Sequence, residues 1–298
     1  MLIHLGYDLQ FELATSAEAF FALSIHPSRW DHIRKPECLQ LEPHVPMTSF
    51  IDSFGNHCGR AALPAGVIRF TNDAVVEDDG KPDPINRGAR QLKVSNLPPE
   101  VLQFLLPSRY CEVDGELLQV AWRMFATTAE GWERVQAICD FVHGHIQFDY
   151  NLSRPTRTAL EAYREKVGVC RDFMHLAITL CRCMNIPARY ATGYLGDICV
   201  PPVPLPMDFS AWFEVYLEDR WWTFDARHNE PRDGRILMAV GRDAADVALT
   251  TIFGQHRVAK FLVRTDEVKE PLTENGRQPR DESPNAGASI RRPQLVRR

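Results

Sequence analysis

One cysteine in the second half of the chain has the type and the place that nucleophilic acyl transfer requires. Cys170 stands in Gly168-Val169-Cys170-Arg171-Asp172-Phe173, at the start of an apolar run that ends near Cys183. The first turn of a helix offers unpaired backbone N–H groups and the positive end of its dipole, and both favour a thiolate over a thiol. Asp225 closes Trp221-Trp222-Thr223-Phe224-Asp225, and His228 follows in Ala226-Arg227-His228-Asn229. Each has a plainer reading, with Cys170 as one more buried core cysteine and His228 as a solvent-facing turn residue.

The remaining histidines point elsewhere. His175 lies five residues after Cys170, roughly 140° around a helix, so it faces away from the thiol and reads as a hydrogen-bonded core residue. His143 and His145 flank Gly144 at a helix end, where a cation is favoured. No local spacing of histidines, cysteines and carboxylates makes a metal site, and the glycines form no phosphate loop. No cofactor is implied, since thiol acyl transfer needs none.

The elements that must position these groups can be read from periodicity and punctuation. Asp114 is the expected N-cap of a first helix that carries Leu117, Val120, Ala121 and Phe125. A second helix is expected over 129–144 behind Thr128, and Thr158 with Glu161 makes a capping box for a third that ends at Gly168. The helix after Cys170 should stop at Asn185, because Pro187 disfavours helical geometry just before it. Strands are then expected in Ala188–Leu195, Ser210–Leu217 and Trp221–Asp225, the last two joined as a hairpin through Glu218 and Asp219. That turn sets Trp212 opposite Asp225, with Ser210 one diagonal step away on the same face.

Residues 1–113 alternate turn signals with short apolar runs, IHLGYDLQFEL, LQLEP, GVIRF and AVVE, the pattern of a β-sandwich-like domain. Residues 114–268 make a second domain closed by a strand in RVAKFLVRT. The stretch 269–298 is charged and poor in aromatics, so it is expected to be a disordered tail.

Composition removes several classes. The 298 residues are 45% hydrophobic, with 34 Lys plus Arg against 39 Asp plus Glu, a net charge of -5 that draws the chain to neither nucleic acid nor anionic lipid. Apolar runs fall short of the roughly 20 residues that a membrane-spanning helix needs, and a cytoplasmic protein is expected. Eight cysteines are too dilute for a disulfide scaffold; none forms a C-x-x-C pair, and Cys181 with Cys183 is the closest spacing.

The string GVCRDFMHLAITLCRCMNIPARYATGYL, followed by DFSAWFEVYL and WWTFDARHN, resembles the transglutaminase-like cysteine enzymes of bacteria, often described as cysteine proteases. The resemblance is strong from about Trp132 to Arg232 and looser over the strand-rich N-terminal region. It implies an α+β fold with a transglutaminase/papain-like core, a Cys-bearing helix packed on an antiparallel sheet, behind an N-terminal β-rich domain. It also implies that Cys170 is the nucleophile, that Asp225 orients the base, and that substrates are peptide or glutaminyl amides passing through a thioester. The histidine of the family's D-F-H-A-W type string is here Ser210, whose hydroxyl is not a base near neutral pH.

Two functions therefore stand side by side. One is a cysteine protease, amidase or acyltransferase in which His228, another histidine or solvent replaces the missing base. The other is a catalytically impaired peptide- or protein-binding module. A Ser210 nucleophile is a remote third reading, since no base stands beside it in sequence. Trp212, Asp208 and Asp172 are the candidate substrate-groove residues, with Trp212 also readable as core. The expected partner is a peptide or protein substrate.

Overall fold

The computed structural model describes residues 1–202 and 207–268. The expected tail, 269–298, and much of the proline-rich loop before Asp208 lie outside the described residues. The N-terminal region holds β1 (Leu2–Leu13), β2 (Ala17–Phe21), β3 (Ile33–Lys35), β4 (Gln40–Glu42), β5 (Thr48–Ile51), β6 (His57–Leu63) and β7 (Gly66–Glu77). Strict alternation along β1 buries Ile3, Leu5, Leu9, Phe11 and Leu13 against Ala19, Phe21, Ala61 and Leu63 of the facing sheet. The runs GVIRF and AVVE are one strand, β7, because the polar residues between them keep the alternation. Asn72 points inward, where its amide donates to Glu37 Oε1 at 2.9 Å and its Oδ1 accepts from the Cys38 N–H at 3.0 Å.

The second half contains α1 (Glu116–Phe125), α2 (Trp132–His145), β8 (Gln147–Phe148), α3 (Ala159–Glu165), β9 (Val167–Gly168) and α4 (Cys170–Cys183). It continues with β10 (Ala188–Tyr194), β11 (Ser210–Leu217), β12 (Arg220–Phe224), β13 (Ile236–Gly241), β14 (Thr250–Ile252) and β15 (His256–Glu267). The strand order β12-β11-β10-β13 makes the antiparallel sheet on which α4 lies. This is the expected α+β core, an α4 helix against an antiparallel sheet, with strands β1–β7 forming a β-rich region before it.

Three sequence expectations shift. The division 1–113 and 114–268 does not follow the sheets: β15 runs antiparallel along β1, and β14 pairs with β2, so both N-terminal sheets take their last strand from the end of the described chain. The reason is edge pairing, since β1 would otherwise leave one row of its backbone groups unpaired. Helix α1 is capped at Gly115 and α2 at Gly131, not at Asp114 and Thr128. The Thr128 hydroxyl instead donates to the Phe125 carbonyl at 2.7 Å, while Gly131 has φ 87° and lies so close to Ala89 that a Cβ would sit 2.2 Å from its carbonyl oxygen. Helix α3 keeps its Thr158–Glu161 capping box but ends at Lys166, which turns left-handed at φ 56°, and frees Val167–Gly168 to pair with β8.

Every residue of α4 from Asp172 to Cys183 is buried, because α1, α2 and α3 pack around it on one side and the sheet on the other. Its buried polar side chains must then find partners inside the protein. Arg182 does so with backbone carbonyls: its guanidinium donates to Ala188 O at 2.9 Å, Leu106 O at 3.0 Å and Arg242 O, joining the end of α4 to β10 and to the chain beyond β13. Arg182→Met should strand these acceptors and lower unfolding stability by about 3 kcal/mol or more, read as a fall in urea midpoint with unchanged slope.

Candidate active site

Cys170 begins α4, and Asp172 fixes how that helix starts. The Asp172 carboxylate accepts from the Val169 N–H at 2.9 Å and from Arg157 Nη1 at 3.0 Å, and Arg171 Nη2 reaches its other oxygen at 3.2 Å. Gly168 is required at this start: a Cβ there would stand 2.6 Å from the Asp172 Cβ. The β8–β9 pair leads into the site, with Phe148 opposite Gly168 and the Asp149 N–H donating to Gly168 O at 3.0 Å. The Cys170 side chain is half-buried against the core formed by α4 and the sheet.

The carboxylate and the imidazole meet at the end of β12. Leu217 pairs with Arg220 around the Glu218-Asp219 turn and Phe213 pairs with Phe224, a register that brings Trp212 and Asp225 abreast one step further on. Asp225 Oδ1 accepts from the backbone N–H groups of Arg227 at 2.9 Å and His228 at 3.0 Å. Its Oδ2 accepts from His228 Nδ1 at 2.8 Å and from Arg235 Nη2 at 3.0 Å. With Nδ1 engaged, His228 has Nε2 left for proton transfer, and that atom makes no hydrogen bond among the described residues.

A set of contacts from α2 holds this turn. Gln136 donates to Asn229 Oδ1 at 2.9 Å, Asn229 Nδ2 donates to Asp140 Oδ1 at 2.8 Å, and His143 Nδ1 is 2.8 Å from the Arg227 carbonyl. Asn229 takes a left-handed φ of 55°, with its N–H bonded back to Asp225 O at 2.8 Å. Such a conformation costs a non-glycine residue of order 1 kcal/mol and persists only where its surroundings hold it.

The charges around Asp225 and Cys170 act in opposite senses. Burial alone would raise the Asp225 carboxyl, but Arg235 and His228 outweigh it and hold the group far below the ordinary carboxylate range. Burial pushes the Cys170 thiol up; Arg227 is the cation that opposes this most, and Asp208 adds to the rise. The resting thiol is therefore neutral near pH 7, and chemistry at this sulfur needs a proton acceptor during attack.

The other candidates fall in distinct places. Ser210 pairs with Gly193 at the start of β11, and its carbonyl accepts the Thr192 hydroxyl at 2.9 Å. Trp212 is 2% exposed and packs with Ala191 and Val240, and Asp172 is 1% exposed inside the frame of α4. Neither presents a groove surface, because packing and ion pairing enclose both. Asp208 lies in the segment before β11 and acts electrostatically on Cys170. His175 is fully buried: its Nε2 accepts from the Ala244 N–H at 3.2 Å, its ring stacks on Tyr110, and burial holds it well below the usual imidazole range. Among the described residues no three His, Cys, Asp or Glu side chains cluster in a way that would hold a metal ion, and no helix is long and apolar enough to cross a membrane.

Residues 119–226 match the model of the transglutaminase-like superfamily. Over this segment the chain is similar to a transglutaminase-like core. The chain is also similar over most of its length to a protein from Cytophaga hutchinsonii whose crystal structure is designated a "Putative Cysteine Protease", with a TM-score of 0.81, 28% identity and 92% of each chain covered. An uncharacterized protein of Mycobacterium leprae, ML0607, is 28% identical over 192 residues, which is 62% of this chain and 67% of that one.

Sequence reasoning did not find Arg235, which donates to Asp83 Oδ2 at 2.8 Å as well as to Asp225, because nothing near it in sequence marks that pairing. The grip of α2 had a faint signal, since Gln136, Asp140 and His143 repeat at helical spacing on one face. Asp225 is depressed in the folded state, so its stabilising contribution is complete above the unfolded pKa of about 3.9 and is lost as pH falls below it. The urea midpoint of Asp225→Asn should lie well below that of the natural protein from pH 7 to pH 5, with the gap narrowing below about pH 4. Asp172→Asn, which leaves Arg157 buried without its carboxylate, should cost about 3–5 kcal/mol in the same measurement at pH 7.

Proposed function

We propose that this protein is a transglutaminase-like thiol enzyme that acts on peptide or glutaminyl amides through a thioester on Cys170, with the Asp225–His228 pair as its base. The observation that carries the reading is the 2.8 Å hydrogen bond from His228 Nδ1 to a carboxylate that Arg235 keeps ionised. A histidine so bonded is fixed in the tautomer that leaves Nε2 free to accept a proton. In this reading Ser210 occupies the place of the family histidine, and the following turn supplies the imidazole from three residues beyond the aspartate.

The reaction divides into two balanced halves. As the Cys170 sulfur attacks the amide carbon, its proton passes to His228 Nε2, and the imidazolium is supported by Asp225. The carbonyl electron pair returns, the C–N bond breaks, and the leaving amine takes the proton from His228, which leaves a thioester. Water or a second amine then attacks that thioester with His228 again accepting a proton, and the thiol is restored. Because Asp225 stays ionised far below neutrality, protonation of its carboxylate does not account for any loss of rate between pH 7 and pH 5.

A second reading has its own observation. Ser210, whose hydroxyl is not a base near neutral pH, stands where the family has its histidine, which would suit a site that binds peptides without acylation. The two separate on 4-nitrophenyl acetate as a minimal acyl donor and on a glutamine peptide offered with a fluorescent primary amine. Cys170→Ala should abolish turnover and the acetyl adduct seen by mass spectrometry. His228→Ala should lower turnover by roughly 10²–10⁴-fold, the usual contribution of a positioned base. If neither donor leaves an adduct on Cys170 of the natural protein, the binding-module reading replaces the enzyme.

A further inference from the structure

Asp225 Oδ2 serves two donors at once, His228 Nδ1 at 2.8 Å and Arg235 Nη2 at 3.0 Å. Arg235 reaches that oxygen with only one N–H of its side-on edge, because the other, Nε, donates to Asp83 Oδ2 at 2.8 Å. Asp83 lies between β7 and α1, 152 residues before Arg235 in the chain. It is fixed there by Arg232, whose N–H donates to Asp83 Oδ2 at 3.0 Å and whose carbonyl accepts the Asp83 N–H at 3.1 Å. The guanidinium between the two carboxylates is enclosed. The Arg235 side chain is 7% exposed, its central carbon lies 5.2 Å from the centroid of the Trp212 ring, and Nη1 is buried without a hydrogen bond among the described residues.

An arginine and a carboxylate favour a two-point pairing, in which two N–H groups of the planar fork close on the two oxygens. Asp225 does not receive that pairing, because the fork is split between two carboxylates. We propose that Asp83 is a positioning residue for His228: by holding Arg235 Nε it keeps the guanidinium from closing on Asp225 and leaves Oδ2 open to the imidazole. The proposal rests on the Asp225–His228 pair as the base, and it adds what protects that pair from its own cation. Without the Asp83 carboxylate the Arg235 Nε–H loses its acceptor inside the protein, and the nearest replacement is the carboxylate that Nη2 already touches. Closure there takes from His228 the bond that fixes its tautomer, since the proton on one ring nitrogen is set by the hydrogen bond that the ring makes. Asp83 thus acts through Arg235 and not on the imidazole itself.

The tautomer of His228 is the readout, and it needs no substrate. The full-length protein with isotopically labelled histidine nitrogens is observed by NMR at about pH 8.5, above the ordinary imidazole range around 6.5. His228 is assigned by the signals lost in His228→Gln. The natural protein should hold His228 chiefly as the Nδ1–H form. Asp83→Ala should make Nε2–H the major form, which is the preference of a neutral histidine side chain in water. Arg235→Met, in which no cation competes for Oδ2, should keep Nδ1–H. Combining Asp83→Ala with Arg235→Met should bring Nδ1–H back, a recovery that general loosening of the fold would not give. An unchanged tautomer in Asp83→Ala, or no recovery in the combined variant, overturns the proposal; if Asp83→Ala does not fold, loss of Nδ1–H in Arg235→Met overturns it alone. Failure of the enzyme reading is seen separately, as the absence of an adduct on Cys170 after 4-nitrophenyl acetate, whatever the tautomer.

Discussion

Complete burial of α4 is the constraint on which the rest of the structure depends. A helix enclosed from Asp172 to Cys183 gains its stability from apolar contact on every side, and it must satisfy each polar group it carries without water. At its start the solution is Asp172, which caps the Val169 N–H and neutralises Arg157. At its end the solution is Arg182, whose guanidinium collects carbonyls from three segments. Both devices fix the helix along its axis, and Cys170 inherits its position from them.

The acid–base side of the site hangs from a different set of restraints. Asp225 is a buried carboxylate with four donors, two from its own following turn and two from side chains. Arg235 keeps it charged, Asp83 balances Arg235, and α2 holds the left-handed Asn229 that closes the turn. The thiol and the imidazole are thus mounted on separate supports, one at the start of α4 and the other after β12. Strain at Asn229 is tolerable because its side chain and its N–H are each bonded.

Electrostatics and burial oppose one another at the sulfur. Desolvation favours the neutral thiol, and the cations Arg227 and Arg171 act the other way. A thiol in such a place is neutral at rest, and attack by it would need a proton acceptor. Ser210 serves the fold through its backbone, which pairs with Gly193 and accepts the Thr192 hydroxyl.

Local rules sufficed where the physics is local. The start of α4, the Thr158–Glu161 capping box and the β11–β12 hairpin with its two-residue turn were legible, because each depends on neighbours within a few residues. The likeness to the transglutaminase-like superfamily was legible too, in the strings around Cys170 and Asp225. Tertiary structure alone decided the closing of the β1 edge by β15, the enclosure of Trp212 and Asp172, and the pairing of Arg235 with Asp225. Those outcomes join residues far apart in the chain through edge hydrogen bonding, packing and charge neutralisation inside a low-dielectric core, and no pattern within one segment encodes which distant partner will arrive.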